Sequence, residues 1–204
     1  TGVVRKFSHS IDNRYSLADD SVKAVYCDRS NGLWVGTLSS GINWSAAFQR
    51  NFNRYYEADG ESLMGGYVVD MAVDGTGKLW AVSEKKGLLY MGRDGMLHKC
   101  NSTALPESIV SICNDGDWLW LGSWAGIFRF DVKTGNVMSY GRGLNTGWKD
   151  NKVHKIFKTS SGEILAGTTL GMIKYDKSSD RFRPLPIFSG IFVTDIAEAF
   201  DGTI

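Results

Sequence analysis

The stretch Ser21-Val-Lys-Ala-Val-Tyr-Cys-Asp-Arg-Ser-Asn-Gly-Leu-Trp-Val-Gly-Thr-Leu-Ser-Ser-Gly-Ile-Asn-Trp44 decides how the whole chain is read. It divides into three short strands and two tight turns. Residues 22–27 are apolar and β-branched enough for a strand. Residues 28–32 carry turn chemistry and end on Gly32, which takes φ > 0 without steric cost. Residues 33–37 form a second strand, 39–41 a second turn, and Ile42 opens a third strand.

The same arrangement returns at residues 68–90, 110–130 and 153–175, and begins again at Val193. Val22, Val68, Val110, Val153 and Val193 are separated by 46, 42, 43 and 40 positions, and Trp34, Trp80, Trp120 and Leu165 by 46, 40 and 45. Two independent columns therefore share one period. A strand-only unit of this length, with a fourth strand expected at 52–56, 96–100, 137–140 and 181–185, is one blade of a β-propeller. No stretch sustains a 3.6-residue period, which excludes a helical or leucine-rich solenoid. The predicted fold is all-β, built of blades of four antiparallel strands: four complete blades with partial blades at both ends. The blades are expected at 21–57, 67–100, 109–140 and 152–185, with an outer strand of a preceding blade at 1–7 and the start of a fifth blade at 191–204. Thr1-Gly-Val-Val4 echoes Thr134-Gly-Asn-Val137, so the chain is expected to be a piece of a larger propeller.

Composition narrows the function. With 23 Lys plus Arg against 22 Asp plus Glu, no global charge drives binding to nucleic acid or anionic membrane. No apolar run approaches the ~20 residues of a membrane span, and no signal peptide is recognisable. Three cysteines permit one bridge at most. Cys27 and Cys113 fall two blades apart, and Cys100 lies on an outer strand while Cys113 lies on an inner one. All three are expected as buried free thiols, which leave the redox compartment open.

Motifs for chemistry are sparse. Gly75-Thr-Gly-Lys78 is followed by Leu79 and no helix, so it is a hairpin turn rather than a phosphate loop. His9, His98 and His154 lack partners at metal-ligand spacing, and no nucleophile elbow is present. No metal and no cofactor are expected. Asp19-Asp20, and Glu107 with Asp115, fall in turns and are expected to be solvated. No carboxylates or histidines are expected to converge in the central channel, as a lyase or glycosidase would need. Asn43-Trp-Ser45 and Asn101-Ser-Thr103 match the short glycosylation sequon.

The repeated residues have mechanical roles. Trp34, Trp80 and Trp120 are expected to wedge between neighbouring blades. Gly36, Gly122 and Gly167, two residues further on, are expected to permit close approach of the adjacent sheet or a local bulge; blade two has Val82 there. What remains for ligands is the loop face, where outer-to-inner linkers meet the turns between second and third strands. Arg14, Tyr15, Lys85, Trp124, Arg142, Asn145, Trp148 and Lys149 fall on that face. Aromatic platforms beside Arg, Asn and Lys donors suit a sugar ring or a carboxylated oligosaccharide. The alternative is that both tryptophans pack beneath their own loops.

Ser16-Leu-Ala-Asp-Asp-Ser-Val22, Asp28-Arg-Ser-Asn-Gly-Leu-Trp-Val-Gly-Thr37 and Gly41-Ile-Asn43 together resemble the two-component regulator propeller repeat, whose pattern runs Ser-Leu-x-x-x-x-Val, Asp-x-x-Gly-x-Leu-Trp-Ile-Gly-Thr, Gly-Gly-Leu-Asn. Blade two departs from it after Trp80, blade three shortens the first turn, and blade four has Leu165 for Trp. The resemblance implies the periplasmic sensor region of a hybrid two-component system of Bacteroides-type bacteria, with further blades, a β-sandwich, a membrane helix and a histidine kinase elsewhere in a dimeric receptor. It implies a non-catalytic sensor of oligosaccharides from polysaccharide breakdown. The alternative is a scaffold propeller for protein contact or receptor dimerisation. The family offers no short ligand motif, so the loop-face residues rest on placement alone.

Overall fold

The computed structural model describes residues 4–28, 30–46, 51–55, 67–141 and 152–204. Blade one holds β1 (Val22–Cys27), β2 (Leu33–Thr37), β3 (Ile42–Ser45) and β4 (Asn53–Tyr55). Blade two holds β5 (Val68–Val73), β6 (Leu79–Ser83), β7 (Gly87–Met91) and β8 (Leu97–Lys99). Blade three holds β9 (Ile109–Asp115), β10 (Trp118–Ser123), β11 (Gly126–Asp131) and β12 (Val137–Tyr140). Blade four holds β13 (Val153–Lys158), β14 (Ile164–Thr168), β15 (Gly171–Asp176) and β16 (Arg181–Pro184). Each sheet is an antiparallel meander in chain order. The first strands β1, β5, β9 and β13 lie side by side in sequence, so the sheets fan about an axis on the first-strand side. Residues 4–8 and 191–204 carry no strand, and Pro186–Phe188 is a single 3₁₀ turn.

A carboxylate shapes the first hairpin of each of the first three blades. In blade one Asp28 Oδ1 accepts the backbone N–H groups of Ser30 (2.9 Å) and Gly32 (2.8 Å), while Oδ2 accepts the Trp34 indole N–H at 2.9 Å. In blade two Asp74 repeats this with Thr76 and Lys78, and takes the Trp80 indole at 2.8 Å. The turn needs a left-handed residue three places after the aspartate, and Asn31 (φ 59°) and Gly77 (φ 88°) supply it. Blade three closes instead on the two-residue turn Gly116-Asp117, and Asp115 takes the Trp120 indole at 3.2 Å and Lys158 Nζ at 2.8 Å. Asp115 is thus half-buried and doubly bound, not the solvated turn residue expected from its position. In blade four Thr159 stands in the aspartate's place. Its hydroxyl accepts Glu163 N–H at 3.0 Å, and Leu165 brings no indole N–H that would need a second acceptor.

The two sequence columns meet in space. A Cβ on Gly36 would lie 2.9 Å from Val68 Cγ1, on Gly122 2.8 Å from Val153 Cγ1, and on Gly167 2.7 Å from Val193 Cγ1. Each glycine is therefore the seat for the apolar residue that opens the next blade. Cross-strand pairing of Val22 with Thr37, Val68 with Ser83, Ile109 with Ser123 and Val153 with Thr168 makes Ile109, not Val110, the blade-three member of that column. Val110 is the bulged residue that follows the anchor, as Lys23, Val69 and His154 are in the other blades. Where blade two has Val82 for glycine, Val82 packs with Ile109 in one buried cluster.

The indoles sit between sheets. The Trp80 ring lies 5.6 Å from Tyr90 of its own blade and 5.5 Å from Phe130 of the next. Trp120 is fully buried, 5.4 Å from Tyr140, 4.7 Å from Tyr175 of blade four and 5.6 Å from Phe182. Trp34 is half-buried against Trp44 and Tyr55 and joins the cluster built on Val68 and Leu79 of blade two. Val193 seats on Gly167. Beyond it, Ala199 N–H donates to Thr203 O at 2.8 Å, as Asp74 N–H does to Lys78 O at 3.0 Å.

Candidate functional site

First strands turn unpaired backbone toward the axis, and one side-chain column answers it. The residue two places after each anchoring position is Ala24, Asp70, Ser111, Lys155 and Asp195. Asp70 Oδ2 accepts from Ser111 Oγ (2.8 Å), from Ile112 N–H (3.1 Å) and from Lys155 Nζ (3.3 Å). Ser111 Oγ in turn accepts Ile156 N–H at 3.1 Å. Lys155 Nζ also lies 3.8 Å from Asp195 Oδ1. A polar chain on the axial side therefore joins blades two, three and four to the segment after Val193. This corrects the expectation that no carboxylates converge there. Asp70 and Asp195 belong to no sequence motif, and nothing in a single blade shows that Lys155 reaches past blade three. The two carboxylates face the same ammonium, at 3.3 and 3.8 Å.

The concave side encloses a cleft of ≈ 1430 Å³ lined by Tyr26, Trp34, Asp74, Lys78 and Lys158 among others. It opens at the end that carries the first-hairpin turns. Lys78 Nζ sits 3.7 Å from the Tyr90 ring centroid and 4.7 Å from that of Trp80, and burial lowers its pKa against the opposing pull of Asp74. The Asp74 carboxyl is raised by burial, but hydrogen bonds from Thr76, Trp80 and two backbone amides outweigh this and hold it below its ordinary value.

The loop face lies at the opposite end. Arg14 donates to the Tyr15 hydroxyl and its Cζ lies 4.6 Å from the Tyr15 ring centroid, both exposed in the linker before β1. Lys85 is exposed in the β6–β7 turn. Trp124 is 50% exposed in the β10–β11 turn and does not fold beneath its loop. No hydrogen bond, ion pair or ring contact joins Tyr15, Lys85 and Trp124 among the described residues. Arg142, Asn145, Trp148 and Lys149 lie outside the described residues. Sequence reasoning missed other groups of this face. Tyr67 is held above its ordinary pKa by a hydrogen bond to Glu84 and by its charge, and lies 5.7 Å from Lys23 Nζ. His154 bonds Thr169 Oγ1 at 3.1 Å and meets the Phe192 ring edge-on at 4.7 Å. Tyr67 immediately precedes the anchoring Val68, and His154 is the bulged residue that follows the anchoring Val153.

Other expectations resolve singly. All three cysteines are free, but none is fully buried as expected: Cys27 is exposed, and Cys100 and Cys113 are half-buried. Asn43 is fully buried, donating to Val35 O (3.3 Å) and accepting Ala18 N–H (2.9 Å), so its sequon is closed to modification in the folded chain. His98 pairs with Asp94 at 2.8 Å, and His9 bonds Leu17 O at 2.8 Å. No group of three or more potential metal ligands occurs among the described residues.

Residues 16–39, which contain the Asp28 turn, β1 and β2, match the family model of the two component regulator propeller. This segment is similar to a two-component regulator propeller repeat. Blade two repeats its Asp–Trp hairpin, and blades three and four keep the four-stranded meander with altered first turns. In structure the propeller chain is similar to two extracellular domains assigned to hybrid two component systems of B. thetaiotaomicron. For BT3049 the TM-score is 0.72 at 20% identity, covering 91% of this chain and 26% of that one. For BT4673 it is 0.66 at 21% identity, covering 93% and 25%. The chain thus spans about a quarter of the length of those domains. It is also similar to virginiamycin B lyase from Staphylococcus aureus, with a TM-score of 0.64 at 11% identity over 81% of this chain and 56% of that one. At these identities the likeness establishes the fold and leaves activity to the site. No curated protein matches by sequence.

Proposed function

We propose that this chain is part of a non-catalytic, extracytoplasmic sensor propeller of a hybrid two-component receptor, and that its loop face takes an oligosaccharide released from a polysaccharide. The observation that carries the reading is the regulator propeller repeat at 16–39, set in four-stranded blades that superpose on extracellular domains assigned to such systems. Trp124 supports the ligand class: a half-exposed indole at a turn tip offers a flat face to the C–H side of a sugar ring. A non-catalytic role fits an axis whose two carboxylates are both tied to Lys155. No helix among the described residues is long and apolar enough to cross a membrane.

The test is a thermal-shift titration with neutral and uronic-acid oligosaccharides. A ligand at a hundredfold excess over its Kd stabilises the native state by about 2.7 kcal/mol. Trp124→Ala is expected to abolish the shift while changing ligand-free stability by no more than about 0.5 kcal/mol, as surface replacements do. A panel without any shift overturns the glycan reading. A second reading, a scaffold face for another protein domain, is favoured by one observation. Leu170, Ile191 and Phe192 are 50–56% exposed, and the loop carrying the last two packs on the β14–β15 turn through Gly190 N–H to Leu170 O at 2.9 Å. That reading predicts burial of Phe192 in the intact receptor and no glycan effect.

A further inference from the structure

Two unrelated demands put an Asn-Gly pair in blade one alone. The turn requires a left-handed residue at position 31, where blades two and four use Gly77 and Gly162. Position 32 accepts no side chain at all, since a Cβ there would lie 2.5 Å from Asp28 Oδ2 and 2.6 Å from Trp44 Nε1. The corresponding residues elsewhere are Lys78 and Glu163. Asn followed by Gly is the pair most prone to intramolecular imide formation, because glycine places no Cβ beside its own nitrogen. Asn31 is exposed, so water reaches its side-chain amide.

We propose that Asn31-Gly32 is a masked deamidation site, kept unreactive by the Asp28 carboxylate. In the reaction the Gly32 backbone nitrogen attacks Asn31 Cγ. The N–Cγ bond forms, the Cγ–Nδ2 bond breaks, and ammonia departs carrying the proton that Gly32 nitrogen loses. Water then opens the imide at either carbonyl, its hydroxyl going to carbon and its hydrogen to nitrogen, leaving an aspartyl or isoaspartyl linkage at position 31. No oxidant or reductant is needed. The folded turn blocks the first step twice. Gly32 N–H is committed to Asp28 Oδ1 at 2.8 Å, so the nitrogen is held toward the carboxylate. A negative charge at that distance also opposes the negative charge that develops on the nitrogen as it gives up its proton. The turn is further fixed by Asn31 N–H to Asp28 O at 3.0 Å and Asp28 N–H to Gly32 O at 2.9 Å. Reaction then proceeds only from the opened hairpin, and its rate reports how often blade one opens. An isoaspartyl linkage lengthens the backbone by one atom inside the turn, so the damage is permanent.

The experiment incubates the chain at mildly alkaline pH and follows residues 30–33 by peptide mass spectrometry, with isoaspartate detected enzymatically. Three samples are compared: native protein, the same protein in urea, and native Asp28→Thr. The threonine copies the neutral acceptor that Thr159 provides in blade four. Conversion at position 31 is expected to be at least tenfold slower in the native protein than in urea, a factor equivalent to about 1.4 kcal/mol of opening free energy. It is expected to be several-fold faster in Asp28→Thr than in the native parent. Equal rates in native and urea samples, or a folded Asp28→Thr no faster than its parent, overturn the proposal. If Asp28→Thr does not fold, Asp28→Asn takes its place with the same expected acceleration, and a folded Asp28→Asn no faster than its parent overturns the proposal.

Discussion

Gly122→Ala would set a methyl group 2.8 Å from Val153 Cγ1 and 3.5 Å from Val153 Cβ. Gly122 does not occupy a left-handed conformation, so its backbone accepts alanine, and the narrower unfolded ensemble favours the change by about 0.4–1 kcal/mol. Overpacking against blade four opposes it by about 1–3 kcal/mol. The single variant should therefore be destabilised by up to about 2.5 kcal/mol. Val153→Ala removes the clashing Cγ1 and by itself should cost about 1–3 kcal/mol as a truncation in a closed core. In that background the Gly122 methyl meets the Cβ atoms of residue 153 and of Ser111, at ordinary contact distances of 3.5 and 3.7 Å. Gly122→Ala should then become neutral or stabilising by about 0.4–1 kcal/mol, a coupling of about 1–3 kcal/mol between the two sites. The assay is urea unfolding of the four proteins of the cycle, followed by tryptophan fluorescence. Gly167 and Val193 make a poorer pair, because alanine at 167 would also meet Val193 O at 3.0 Å. Additivity within about 0.5 kcal/mol would refute the claim that this glycine exists to receive the next blade's first side chain.

Asp28, Asp74 and Asp115 are each raised by burial but pulled further down by hydrogen bonds, so their folded pKa values lie below the ordinary 3.8. Their stabilisation is complete above that value and is lost as pH falls through the folded ones. Acid unfolding monitored by near-ultraviolet circular dichroism should flatten at its acid limb in Asp74→Asn, and an unchanged limb would count against the lock. Leu165→Trp should destabilise blade four, since Thr159 offers no second acceptor and a buried unpaired indole N–H costs about 1–3 kcal/mol. Thr159→Asp added to it should recover about that amount in equilibrium unfolding. Thiol titration of the native protein should modify exposed Cys27 first. Cys113, whose thiol is pushed up by burial and then by Asp115 and Asp70, should react more slowly than Cys27, and labelling of Cys113 ahead of Cys27 would contradict its placement.

The blade count, the meander within each blade and the position of the indoles were readable because each depends on a local pattern repeated with one period. Trp80 and Trp120 sit where two matching columns put them. The Asp–Trp pairs were readable in principle, as aspartate precedes Trp34 and Trp80 by six residues and Trp120 by five. Asp115 went unrecognised because the shortened turn broke the spacing. Ile109 lost its place in the column to Val110 because two β-branched residues stand side by side there and only the valine matches the other blades in type. The axial chain of Asp70, Ser111 and Lys155 depends on how blades converge, which no single repeat encodes. Of the predicted loop face, Trp124 follows from its position in a turn between two strands, whereas the mutual arrangement of Arg14, Tyr15 and Lys85 depends on linkers with no repeated pattern.

Lys155 reaches Asp70 across an intervening sheet, and with Ser111 closes a small triangle over three sheets. Triangles cannot shear without changing the length of a side. Blade three is therefore braced from both flanks near the axis, and bending there would have to separate an ammonium from its partner at 3.3 Å. A force applied at one rim of these three sheets would be carried as a tilt of the whole group, not absorbed by one seam opening like a fan.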